Sequence, residues 1–94
     1  MSKNANVLLS QIEIVIEITK NKQKEKEDPF YEDLLKRLNL LANYLQNNNY
    51  TNDGLESRRI KGAVRAYTDT GLVKSFDDPL LIELDKLETM LNEN

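Results

Sequence analysis

Leu34, Leu38, Leu41 and Leu45 recur at spacings of four, three and four, with Leu35 and Ala42 beside them. That spacing puts one apolar stripe on a helix. Asp28-Pro29 stands just ahead of the stripe. The aspartate can accept hydrogen bonds from the free N–H groups of a first helical turn, and proline is tolerated where no N–H is needed. The run Asn47-Asn48-Asn49 ends the pattern, so the spacing predicts a helix over 29–47. Near the C-terminus the grammar repeats: Asp78-Pro79 precedes Leu80, Leu84, Leu87 and Leu91, with Met90 alongside, and predicts a helix over 78–92. Glu83, Asp85, Lys86 and Glu88 then read as its solvated face, with acidic residues near its start suiting the positive end of the helix dipole.

Between these two, Leu55, Ile60, Ala63, Val64 and Tyr67 keep helical spacing, Asn52 or Asp53 is placed to cap, and Gly71 sits where a helix-terminating glycine belongs. A helix over 54–70 is predicted. Gly62 falls inside it, at a cost of about 1 kcal/mol relative to alanine, and close approach of a neighbouring helix is the ordinary reason for such a glycine. The first segment is ambiguous, because Ile12, Ile14, Ile16 and Ile18 alternate with Glu13, Val15 and Glu17 as a strand would. Read at helical period, the same stretch places Leu8, Ile12, Val15, Ile16 and Thr19 on one face with Leu9 beside it. A strand needs a partner for its backbone groups, and no other run in the chain alternates, so a helix over about 4–21 is expected. The charged stretch 21–28 is either its exposed continuation or a loop.

Four amphipathic helices with short polar links bury their stripes most economically as an antiparallel four-helix bundle, an all-α single domain over 1–94. Composition sharpens this picture mainly by exclusion. The chain of 94 residues has no His, no Cys and no Trp, which removes thiol chemistry, disulfides, imidazole metal sites and Ser-His-Asp catalysis. A chain this short leaves about 40% of its unfolded surface exposed, so a deep enzyme cleft is hard to build. A secreted domain of this size usually carries disulfides, which makes the cytoplasm the expected compartment. Gln11, Glu13 and Glu17 interrupt any signal-peptide core, and no run approaches the ~20 apolar residues of a membrane-spanning helix.

Carboxylates are the only acid–base groups in quantity, and Asp77-Asp78 or Glu25 with Glu27 sit in link or cap positions where solvent keeps a carboxylate ordinary. Neither pair has calcium-loop spacing, and Gly54, Gly62 and Gly71 are isolated, so no phosphate loop exists. No catalytic residue, metal or cofactor is expected. Charge is uneven, however. Ser57 to Phe76 has five basic residues, Arg58, Arg59, Lys61, Arg65 and Lys74, against Asp69, for +4. Asp77 to Asn94 has Lys86 against six acidic residues, for −5. The plainest reading is weak surface pairing between neighbouring helices. The other is a face for an acidic protein surface or anionic lipid, while nucleic acid is disfavoured by the net charge of −3. Phe30 and Phe76, each near a helix start, are expected to cover the ends of the core, and Tyr50 to lie exposed in the asparagine-rich link.

The order of segments, with Tyr44-Leu45-Gln-Asn-Asn-Asn ending the second helix, Leu55-Glu-Ser-Arg-Arg-Ile-Lys opening the third, Gly71-Leu-Val and a final leucine helix, resembles the immunity proteins of pediocin-like (class IIa) bacteriocins, the enterocin A immunity type. The resemblance covers about Val7 to Leu91 and rests on size, helix order and the basic start of the third helix. It implies a cytoplasmic four-helix bundle of a Gram-positive bacterium. Such a protein protects its host by recognising, from the cytoplasmic side, the membrane subunits of the mannose phosphotransferase system when bacteriocin is bound. Family specificity is associated with the C-terminal half, which here directs recognition to Arg58, Arg59, Lys61, Arg65 and Lys74 and to the last three residues, 92–94; many members carry a longer tail there. Tyr50, Tyr67 and Leu72 are the apolar and aromatic anchors that such a binder would use. The competing classes are a small regulator that contacts nucleic acid through the third helix, and a helical adaptor. In the adaptor the Leu34/Leu38/Leu41/Leu45 stripe would be satisfied between chains, giving a weak dimer in place of a monomer.

Overall fold

The computed structural model describes residues 5–47, 60 and 62–92. Among the described residues all four elements are helices: α1 (Ala5–Glu25), α2 (Pro29–Asn47), α3 (Ala63–Asp69) and α4 (Pro79–Asn92). α1 settles the ambiguity of the first segment. Leu8, Ile12, Val15 and Thr19 are all fully buried along one side, while Glu13, Ile14 and Glu17 face solvent, so the period is helical. Thr19 is tolerated inside because its hydroxyl donates to the Val15 carbonyl at 2.7 Å. α1 also runs on to Glu25, which makes the first half of the charged stretch a helical continuation, and Lys26 closes it through its N–H to the Lys22 carbonyl at 2.9 Å.

α2 begins as its sequence predicts: the Phe30 N–H donates to Asp28 Oδ1 at 2.9 Å, and the stripe of Leu34, Leu38, Leu41 and Leu45 is buried. These leucines belong to the chain's own core with Leu8, Ile12, Leu80, Leu84, Leu87 and Leu91, so they are not left for pairing between chains. Each fully buried Leu contributes about 1.5–3 kcal/mol from apolar surface removed from water. α1 packs against both α2 and α4, and α4 packs against α3. Gln11 reaches Glu83 and Lys22 reaches Asp78, so residue numbers rise along α1 as they fall along the facing α4. α2 and α3 flank a shallow cleft lined by Phe30, Leu34, Arg37, Ala63 and Ala66.

The third helix departs from expectation. The helix is short, starting at Ala63, and Gly62 is not inside it but ahead of it, with φ +84°. Close approach does not explain this glycine, since a Cβ there would meet nothing within 4 Å. Its role is conformational: Ile60 turns into the core, the Ala63 N–H bonds the Ile60 carbonyl at 2.9 Å, and the left-handed backbone at Gly62 redirects the chain into α3. Residues 54–59 and Lys61 of the predicted span lie outside the described residues. Gly71, at φ +79°, follows α3 as the terminating glycine that the sequence predicts.

Candidate functional site

Asp78 shares its sequence grammar with Asp28, but its surroundings differ. Its Oδ1 accepts the N–H groups of Leu80 at 2.9 Å and Leu81 at 3.2 Å, the expected cap of α4. Its Oδ2 accepts Lys22 Nζ from α1 at 2.7 Å and the Tyr67 hydroxyl from α3 at 3.0 Å. One carboxylate therefore ties together three helices, and it is 7% exposed. The expectation of an ordinary solvated carboxylate is wrong for Asp78. Burial pushes its pKa up, but the hydrogen bonds from Lys22, Leu81 and Tyr67 outweigh that, and the carboxyl is held below its usual value. Tyr67 is affected in the opposite sense: burial first, then the bond to Asp78, raise its phenol far above the usual value, so it remains a donor.

Tyr67 is not the surface anchor that the sequence suggests, because it is fully buried. Phe30 stacks on it with ring centroids 5.3 Å apart and planes 10° from parallel, and Tyr31 approaches both rings edge-on or tilted, at 6.0 and 6.3 Å. Phe30 thus covers the core as expected. Phe76 does not. It stands 95% exposed on the α3–α4 connection, after Leu72 and Val73, which pack partly buried against the core, and beside the Ser75 hydroxyl's bond to the Asp77 carboxylate.

Beside this connection lies an open cleft of about 490 Å³, lined by Lys22, Lys26, Tyr31, Leu72, Lys74 and Asp77 among others. Of the expected recognition residues, the structure brings Leu72 and Lys74 together here, half-buried and exposed respectively. Arg65 is exposed on α3 and does not line this cleft. Arg58, Arg59, Lys61 and Tyr50 lie outside the described residues, as do Glu93 and Asn94. The anticipated pairing of basic third helix and acidic fourth helix takes another form: the Glu88 carboxylate accepts backbone N–H groups, from Gly62 and, at 3.2 Å, from Val64. α3 has no side-chain cap of its own, so α4 supplies it.

Sequence reading misses three things here: the Lys22–Asp78–Tyr67 junction, the Glu88 cap and the exposure of Phe76. Only the last has a signal, an aromatic between Lys74-Ser75 and Asp77-Asp78 in a polar link. The cleft sets lysines and carboxylates around an open depression, with half-buried Leu72 on its lining. No described group of three or more carboxylates is placed to hold a metal ion, and no described helix is long and apolar enough to cross a membrane. A family model described as YeeD uncharacterised protein matches residues 2–94. No curated protein and no solved structure matches the chain.

Proposed function

The chain belongs to the YeeD family, and we propose that it is a protein-binding module rather than an enzyme, built as an antiparallel four-helix bundle. The opposed run of α1 and α4 and the stacking of Phe30 from α2 on Tyr67 from α3 support that arrangement. The observation that carries the binding reading is Phe76. Phe76 is 95% exposed between Lys74 and Asp77 in the chain, and aromatic side chains, phenylalanine among them, are enriched at protein interfaces. Leu72 and Lys74 extend the surface from the same connection.

The most specific form of this function is the one the sequence resemblance implies: immunity to a pediocin-like bacteriocin. In that form the cytoplasmic protein contacts bacteriocin-occupied mannose phosphotransferase subunits, touching the membrane only at its periphery. Arg58, Arg59, Lys61, Arg65 and Lys74 would steer the encounter and Phe76 would anchor it. The test is to express the chain in a bacteriocin-sensitive Gram-positive strain and challenge it with a panel of pediocin-like peptides. Protection against one peptide is expected, lost on Phe76→Ala and on Arg58→Glu with Arg59→Glu, while the variants stay folded. Sensitivity to every peptide with the folded protein present would end the immunity reading and leave the adaptor, for which Phe76 is equally the anchor.

A further inference from the structure

α3 is held in the fold differently from the other helices. It is seven residues long and buries only Ala63 and Tyr67, whereas α1, α2 and α4 each bury at least four side chains. It stands between two glycines with left-handed backbone, Gly62 at φ +84° and Gly71 at φ +79°, and a Cβ at either would meet nothing within 4 Å. Glycine takes such backbone at little steric cost, so the chain can change direction at both ends of the helix. Outside this pair the chain is anchored separately, by buried Ile60 on one side and by Leu72 and Val73 packed against the core on the other. Within the pair, α3 closes on itself: the Thr68 hydroxyl donates to the Arg65 carbonyl at 2.8 Å and the Thr70 hydroxyl to the Tyr67 carbonyl at 2.6 Å.

The bonds that tie α3 to α4 end on two carboxylates, and both acceptors can lose them without being stranded. Glu88, which receives the N–H groups of Gly62 and Val64, is half-buried and within reach of water. Asp78 is buried, but without the Tyr67 hydroxyl it still accepts Lys22 at 2.7 Å and the N–H groups of Leu80 and Leu81. We propose that α3 is a lid, in which residues 62–71 lift from α4 as one unit while α1, α2 and α4 stay packed, and that the Tyr67–Asp78 bond is its latch. Lifting uncovers the rings of Phe30 and Tyr31, which Tyr67 covers at centroid distances of 5.3 and 6.3 Å. The buried Lys22–Asp78 pair survives the motion, so no unpaired buried charge opposes it. Displacing α1 instead would break that pair and bare Leu8, Ile12 and Val15. The lid depends neither on Phe76 nor on a partner.

Native-state hydrogen exchange in a series of low urea concentrations tests this. The Ala66 and Thr70 amides, bonded to the Gly62 and Tyr67 carbonyls, report the lid. They should share one protection factor and exchange roughly tenfold or more faster than the protected amides of α1 and α2, with a smaller urea dependence because little surface is exposed. Ile12→Val removes one methyl group from the core that the open and closed forms share. It should speed exchange in α1 and α2 severalfold and leave Ala66 and Thr70 unchanged. Tyr67→Phe removes the latch and should speed Ala66 and Thr70 about tenfold. Rates and urea dependence for α3 that merge with those of α1 and α2 overturn the proposal. So do unequal protection factors with no urea dependence, which mark fraying residue by residue, an equal acceleration of α3 by Ile12→Val, or indifference to Tyr67→Phe.

Discussion

Two helices of this protein start with the same words, Asp-Pro followed by leucines, and the two aspartates have different jobs. Asp28 is half-buried and supplies a local cap, accepting the Phe30 N–H. Asp78 caps α4 in the same way but also receives Lys22 from α1 and Tyr67 from α3 on its second oxygen. A local motif of identical form thus stabilises one helix in the first case and joins three in the second. What distinguishes them is only what the fold brings to the other carboxylate oxygen. The cost of removing each should differ accordingly.

Asp78→Ala makes the largest difference. It leaves half-buried Lys22 and the buried Tyr67 hydroxyl without their acceptor and uncaps α4, and it is expected to lower stability by about 3 kcal/mol. Asp28→Ala should cost about 1 kcal/mol, an N-cap alone. Urea denaturation of the two variants measures both, and equal losses would erase the distinction between them. Acid separates the aspartates further. Because the folded-state pKa of Asp78 is lowered, the unfolded chain binds the proton more readily as pH falls. The stabilisation from Asp78 is therefore complete above the ordinary carboxylate pKa near 4 and is lost as pH falls through and below it. In Asp78→Ala that part of the acid dependence should disappear, whereas in Asp28→Ala it should persist.

Glu88→Gln gives a smaller effect on the same theme. The amide keeps one acceptor but loses the charge at the start of α3, so a loss of about 0.5–1 kcal/mol is expected. Hydrogen exchange should speed up at the Val64 amide, with the amides of α2 unchanged, since α3 relies on a neighbouring helix for its cap. Phe76→Ala is the smallest perturbation of the fold. With the side chain in solvent, stability should move by no more than about 0.5 kcal/mol, in contrast to the severe loss expected if it covered the core. A large drop in the thermal midpoint would return Phe76 to the interior.

Much of this architecture is legible in the residues. The leucine stripes of α2 and α4, both Asp-Pro starts and the Gly71 terminus follow from spacing and backbone chemistry within a few residues of each other, and the structure has them where the pattern puts them. The candidate site is less so. Leu72 and Lys74, chosen as contacts, line the cleft, whereas Tyr67, also chosen, is fully enclosed, and Phe76, expected inside, is outside. Periodicity correctly puts Tyr67 on an apolar face. Its other use, donating to Asp78, depends on a residue eleven positions away.

The sequence by itself determined that this chain is helical, where three of its helices lie, and that neither thiol nor imidazole chemistry is open to it, because these depend on local spacing and on which side chains exist. Tertiary structure alone decided that α3 is short and borrows its cap from Glu88, that Asp78 is a three-helix junction, and that Phe76 is left to solvent. Each of those depends on atoms far apart in the chain meeting, or failing to meet, within hydrogen-bond or van der Waals distance. No one-dimensional pattern records such a meeting, because the residues that make it are individually ordinary.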